Sequence, residues 1–265
     1  MKGKAFLGEL IGTFLLVLFG TGSVAVAVLY GEYTGIFQIA ILWGTAVTLG
    51  IYATRHLCDA HFNPAVTFAM AATGRLNKGM ILPYLAGQFV GAFVASLTVY
   101  GTFASKLVAF EAENNIIRGT IESRLSAKMF GEYYYLGVGE QTVSMPLAMF
   151  AEGMGTFILV LMIFILTERC NKGKPDGNMV PLFIGLTLAS CIALFGPLTQ
   201  AGFNPARDFA PRMVALIFGW GSAVWTDNCG GFFWVYMLAP IIGGLLAGLL
   251  FTKVIQKSME KVEEA

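Results

Sequence analysis

The tetrapeptide Phe62-Asn63-Pro64-Ala65 returns as Phe203-Asn204-Pro205-Ala206, and this doubled segment decides how the whole chain is read. Proline suits the first turn of a helix, where its missing N–H would have no partner anyway. Asparagine before it is a good N-cap. Each copy therefore predicts a helix start. The residues that follow, Phe62–Gly74 and Phe203–Ile217, are too apolar for ordinary loops and too few to cross a bilayer. Apolar stretches of about 10–14 residues read as re-entrant or interfacial segments.

Working outward, the surroundings of the two copies repeat as well. Residues 12–18 read GTFLLVL and residues 155–161 read GTFILVL, with Glu9 and Glu152 three positions ahead of each. The offsets, 143 for this pair and 141 for the tetrapeptides, nearly agree. Six apolar segments near 5–30, 36–55, 82–104, 146–167, 179–197 and 232–254 are each long enough to span, since a crossing helix needs about 20 residues. The repeats, about 5–104 and 146–254, hold three spans each, so the second lies upside down relative to the first. A long connection, 105–145, joins them on the outer side. The expected fold is a single all-α membrane domain over 1–265: six transmembrane helices plus two re-entrant half-helices in inverted repeats.

Composition agrees. Hydrophobic residues make up 56 % of the 265 and charged residues 12 %, with a mean hydropathy of +0.70. A soluble domain carries about 25 % charge. A net charge of +1 gives no basic surface for nucleic acid. The four cysteines, Cys58, Cys170, Cys191 and Cys229, form no CxxC pair and no metal-ligand spacing, so no metal, cofactor or disulfide framework is expected. Lys2 and Lys4 precede an apolar stretch of signal-peptide character, but it continues too far and reads as a retained first span. Lys2, Lys4, Arg55, Arg75, Lys78, Arg169, Lys172, Lys174, Lys253, Lys257 and Lys261 fall on one side if the spans alternate. The positive-inside rule then places both termini in the cytoplasm.

Non-helical chain at membrane depth survives only where it faces protein or a water-filled path. Inverted symmetry brings the two half-helices in from opposite faces to meet near the midplane, where repeats of this kind place a substrate route. Two helix N-termini concentrate partial positive charge there, and the Asn63 and Asn204 amides add N–H donors. That setting favours a hydroxyl oxygen and opposes a cation or proton. Glu9 and Glu152 are positioned by the repeat to accept N–H groups from the irregular segments 56–62 and 197–203.

The stretches DAHFNPAVT (59–67) and FNPARDFAP (203–211) resemble the aquaporin, or major intrinsic protein, family over nearly the whole chain. The resemblance implies one pore per subunit, a homotetramer in the cell membrane, and passage of small neutral solutes. Asp208, Arg212, IIRGTIES (116–123) and GPLT (196–199) are similar to the glycerol facilitator branch, which implies glycerol and water as solutes. Residue by residue, it implies a pore lined at Asn63, Pro64, Ala65, Asn204, Pro205 and Ala206. It also implies an outer filter of Trp43, Ile192, Ala201 and Arg207, and loop-supporting roles for Glu9, Glu152, His61 and Asp208. Ile192 and Ala201 stand where that branch usually has glycine and phenylalanine, and Tyr236 where it tends to have proline. The filter is closer to that of plant nodulin-like channels.

Two other readings stay open. A secondary transporter also uses inverted repeats and broken helices, with Glu9 and Glu152 as the candidate ion-coupling groups. A channel for urea, dihydroxyacetone or a metalloid hydroxide fits the same filter. No HExxH or GxSxG motif points to an enzyme.

Overall fold

The computed structural model of the chain describes residues 1–134, 143–225 and 231–264. Six helices among them are long and apolar enough to cross a membrane. The order begins with α1 (Lys2–Tyr30), α2 (Ile36–Thr54), a short α3 (Pro64–Ala72) and a long α4 (Ile81–Glu113). After one helical turn, α5 (Arg124–Ala127), the pattern repeats as α6 (Met145–Thr167), α7 (Val180–Thr199), short α8 (Pro205–Ala215) and α9 (Ala239–Leu250). Wider π-type turns flank α9 and join it to the terminal helix α10 (Gln256–Glu264), so one rod runs on from Phe232. No strand occurs among the described residues.

The two short helices abut at their N-termini. Asn63 Nδ2 donates to Phe203 O at 2.8 Å, and Asn204 Nδ2 donates to Phe62 O at 2.7 Å. Their far ends diverge. Beyond α3, Arg75 pairs with Glu168 at the end of α6. Beyond α8, Trp220 Nε1 donates to Ser123 O in the connection between the repeats, at 3.1 Å.

Within each repeat the first span packs on the third, α1 on α4 and α6 on α9, and the repeats meet where α2 lies against α7. α3 rests mainly on α9, and α8 rests on α4, so each short helix is seated by the opposite repeat. In lipid, such contacts depend on small residues that let backbones approach. A methyl on Gly91 would lie 2.3 Å from Leu10 O, and one on Gly243 would lie 2.1 Å from Gly153 O. The outward faces carry exposed apolar side chains such as Phe37, Leu82, Leu194 and Leu246, as a lipid-facing surface requires.

Several elements differ from expectation. α4 continues to Glu113, so the connection expected from residue 105 begins only at Asn114. Tertiary contacts hold this extra length: Glu111 accepts from Ser126 Oγ at 2.8 Å and from Arg118 Nε at 2.9 Å. α7 continues to Thr199 past Pro197, leaving 200–203 as the irregular stretch. Trp220, near a span end where an indole would suit the membrane interface, is instead fully buried beneath the Arg118 guanidinium, 3.9 Å from its ring centroid. The chain corners there at Gly219 and Gly221, with φ of 104° and 55°, a conformation that glycine adopts without steric cost. Trp225 and Phe232 pack on Phe209, whereas Phe233 and Trp234 are exposed as a belt requires. Cys58, Cys170 and Cys191 are free thiols, and Cys229 lies outside the described residues.

Candidate pore

The chain entering each short helix is held in an unusual conformation. Ala60 and Phe62 have φ of 56° and 53°, and Ala201 and Phe203 have 62° and 52°. Left-handed backbone in a non-glycine residue costs roughly 1 kcal/mol. Two buried carboxylates oppose that cost. Glu9 accepts from His61 N at 2.8 Å and Phe62 N at 2.7 Å, while Glu152 accepts from Gly202 N at 2.9 Å and Phe203 N at 2.6 Å. Hydrogen bonds to a charged group contribute about 1.5–3 kcal/mol each. A pair of them outweighs the two strained residues of the first loop, and in the second loop, where Gln200 adds a third left-handed residue with φ of 65°, it is of the same order as the strain.

Further support is matched across the repeats. Gln88 Nε2 donates to Glu9 at 2.7 Å, and Thr199 Oγ1 donates to Glu152 at 2.6 Å. Cys58, 141 positions before Thr199, copies its turn: its sulfur accepts from Ala60 N at 3.4 Å as the hydroxyl accepts from Ala201 N at 3.1 Å. Glycine sockets seat the two phenylalanines. A methyl on Gly12 would lie 1.9 Å from the Phe62 ring, and one on Gly155 would lie 2.1 Å from the Phe203 ring. Tyr236 is buried and donates to Thr199 O at 2.9 Å, while Tyr84 accepts from Asp59 N at 3.1 Å in the other loop. The departure at Tyr236 therefore has a structural counterpart in Tyr84. Gln88 and Tyr84 carry no local sequence signal because their partners lie on distant segments, and Cys58 carries none because a thiol in a turn does not resemble the threonine it matches.

His61 is oriented from behind. Its Nδ1 lies 3.1 Å from Thr67 Oγ1, which also meets Asn63 O at 3.1 Å and Gln88 Nε2 at 3.0 Å. With the hydroxyl proton on Asn63 O, the network assigns the ring proton to Nδ1 and leaves Nε2 as an acceptor. At the helix starts, Asn63 Oδ1 accepts from Ala65 N at 2.8 Å and Asn204 Oδ1 from Ala206 N at 3.0 Å. Pro64 and Pro205 occupy the first turns.

A cavity of about 410 Å³ runs alongside these groups. It begins among Arg55, Arg75 and Gly177 near the face where α2 ends, passes His61, Asn63 and Asn204, and reaches Trp43, Ile192, Ala201 and Arg207. Val47, Ile51, Ile184 and Leu188 give it an apolar opposite wall. The structure thus brings the asparagines, His61 and the four filter positions to one cavity. Glu9, Glu152 and Asp208 stand outside its lining, as do Pro64, Ala65, Pro205 and Ala206.

At the far end the Arg207 guanidinium lies over the Trp43 ring, 4.3 Å from its centroid, so the indole face is partly covered. Gly20 makes room for Trp43, since a methyl there would fall 2.3 Å from the indole. Arg207 Nη2 is ion-paired with Glu132 Oε1, a buried residue of the connection. Arg207 Nη1 and Glu132 Oε2 have no hydrogen-bond partner among the described residues. Asp208 secures this arrangement. Its Oδ1 accepts from Glu132 N at 2.7 Å and its Oδ2 from Arg212 Nε at 2.7 Å, while Arg212 Nη2 donates to Glu132 O. Glu132 carried no sequence signal, because it lies outside both repeats. Among the described residues no group of His, Cys, Asp or Glu is placed to hold a metal ion.

With this geometry in view, the chain compares closely with known transport proteins. It is 38 % identical over 253 residues to the glycerol uptake facilitator protein of Haemophilus influenzae, covering 94 % of this chain and 92 % of that one. It is 34 % identical over 255 residues to a propanediol uptake facilitator of Salmonella typhimurium, covering 95 % and 93 %. The X-ray structure of the aquaglyceroporin from Plasmodium falciparum matches with a TM-score of 0.83 at 28 % identity, over 98 % of this chain and 99 % of that chain. The sequence profile of the major intrinsic protein family matches residues 2–251, and the chain belongs to that family.

Proposed function

We propose that this protein is a passive channel for glycerol and other short polyols, together with water, across the cell membrane. The observation that carries the reading is the cavity past both asparagines, with an apolar wall facing a wall of backbone and amide groups. A polyol needs both surfaces: carbon on one side, hydroxyls on the other. The relatives named for glycerol and propanediol support this solute class.

The solute sheds part of its water at Arg207 and Trp43. Its hydroxyls then meet acceptors at residues 201 and 202, the donors of Asn63 and Asn204, and His61 Nε2. The converging helix N-termini oppose cations and protons. Glu9 and Glu152 are committed to backbone N–H groups, which leaves them as supports rather than ion-coupling sites. Transport therefore follows the solute gradient alone, and no catalytic step is involved. Both termini face the cytoplasm, where the basic residues gather, and the working form is a homotetramer in the lipid bilayer.

Stopped-flow light scattering on proteoliposomes tests the reading. Glycerol permeability should exceed that of empty vesicles at least tenfold and be unchanged by a proton or sodium gradient. Permeability equal to that of empty vesicles removes the assignment. Arg207→Ala should raise the cation leak, since it leaves Glu132 unpaired.

A further inference from the structure

The fixed charges that face the cavity near its centre are positive. The N-termini of α3 and α8 each carry about half a unit of positive charge, and Arg207 adds a full one. Such a lane rejects cations readily. It also resembles an anion site, because helix N-termini with an arginine are the usual place for a bound anion. Cation rejection alone thus leaves anion rejection without a cause.

Glu132 supplies the cause. It is buried, which pushes its carboxyl up to about 8, while the charge of Arg207 pulls the other way and favours the ionised form; it pairs with Arg207, and it stands behind the arginine rather than in the cavity lining. Its place is set by backbone contacts on both sides: its N–H reaches Asp208 and its carbonyl accepts from Arg212. Asp208 and Arg212 neutralise each other through an ion pair of 2.7 Å. Glu152, also nearby, is occupied by the loop. The charge balance at the constriction therefore turns on one carboxylate.

We infer that Glu132 is the residue that closes this pore to anions, by cancelling the charge of Arg207 at the constriction. The inference rests on the channel reading above. Removing Glu132's charge leaves a desolvated guanidinium in front of the α8 N-terminus, and small anions such as chloride should enter. Removing both charges should close the path to anions again.

The test uses proteoliposomes with a trapped chloride-quenched fluorophore, and glycerol flux in the same vesicles as the sign of an assembled pore. Glu132→Gln should raise chloride permeability at least tenfold over the wild type. Glu132→Asp, which keeps the charge, and the double variant Glu132→Gln/Arg207→Gln should both stay within about twofold of it. Glu132→Ser serves as a second neutral variant should Glu132→Gln fail to assemble. Either neutral variant that passes glycerol yet holds chloride at the wild-type level overturns the inference. A wild type without glycerol flux counts against the channel reading, a separate result from the chloride measurement.

Discussion

Arg207 and Val66 occupy the same place in their repeats, three residues after Asn204 and Asn63, and both line the cavity. Trp43 and Ile184 match likewise, next to the glycines that touch where α2 meets α7. At these matching positions one repeat thus holds an arginine and an indole, backed by a buried glutamate, and the other holds two aliphatic side chains. Around them the frame is nearly the same: a glutamate under each loop, a glycine under each phenylalanine, an asparagine capping each short helix. The duplicated part of the sequence builds the lane, and on the proposed reading the part that departs from duplication selects what enters it.

The symmetry of the frame is tested most severely at its glutamates. Glu9→Ala and Glu152→Ala each strand two buried N–H groups, at about 1–3 kcal/mol apiece. Thermal unfolding in detergent should show large losses of similar size for both. Tolerance of one and not the other would break the equivalence.

Next in size is an exchange of chemistry between the matching positions. Val66→Arg buries a cation at the matching position without the carboxylate that Arg207 has in Glu132, and a buried charge without its partner costs about 3–5 kcal/mol. The variant should lose most folded protein and at least tenfold in glycerol flux. Normal flux would mean that this aliphatic position can support a charge unaided.

The glycine sockets come third. Gly12→Ala and Gly155→Ala push a methyl into a phenylalanine ring, and overpacking costs about 1–3 kcal/mol. Matched decreases in melting temperature sharpen the comparison, and a difference between the two would locate the softer repeat.

The smallest effect concerns the mouth near Arg75. Partial desolvation pushes the Glu168 carboxyl up, but the hydrogen bonds from Arg75 and Arg169 N–H and the charge of Arg75 outweigh it and hold the group below its ordinary value. A lowered carboxyl pKa stabilises the fold above the ordinary value, and that stability is lost as pH falls through the lowered one. Its position near solvent limits the effect to about 1 kcal/mol or less. Between about pH 6 and pH 3, spanning the carboxylate range, the wild type should lose slightly more melting temperature than Glu168→Gln. Parallel profiles would remove the pair from the account.

What could be read from sequence alone follows from where each signal resides. The helix starts at Asn63 and Asn204 are encoded in adjacent residues, so local capping chemistry revealed them. The six spans follow from length and apolarity. Glu9 and Glu152 were legible because the repeat offered each a copy. Glu132 and Gln88 act through contacts with distant segments and have no duplicate of the same residue type to betray them; Tyr84 is matched by Tyr236, but each acts on a loop that its own stretch of sequence does not place beside it. The overshoot of α4 and the burial of Trp220 were hidden for the same reason, since both depend on how the unrepeated connection folds back between Glu111 and Ser126.

The seating of α3 against α9 also sets an order of assembly. α3 emerges from the ribosome early and α9 nearly last, and at about 5–20 residues per second the interval is roughly ten seconds or longer. During that wait the loop ahead of α3 has Glu9 for its amides but lacks both its seat and the asparagine that will cap its carbonyl. The first repeat can insert, but it cannot finish. Each half of the molecule thus serves as the template on which the other completes its fold, and a chain cut short before α9 leaves its earliest pore segment without a place to rest.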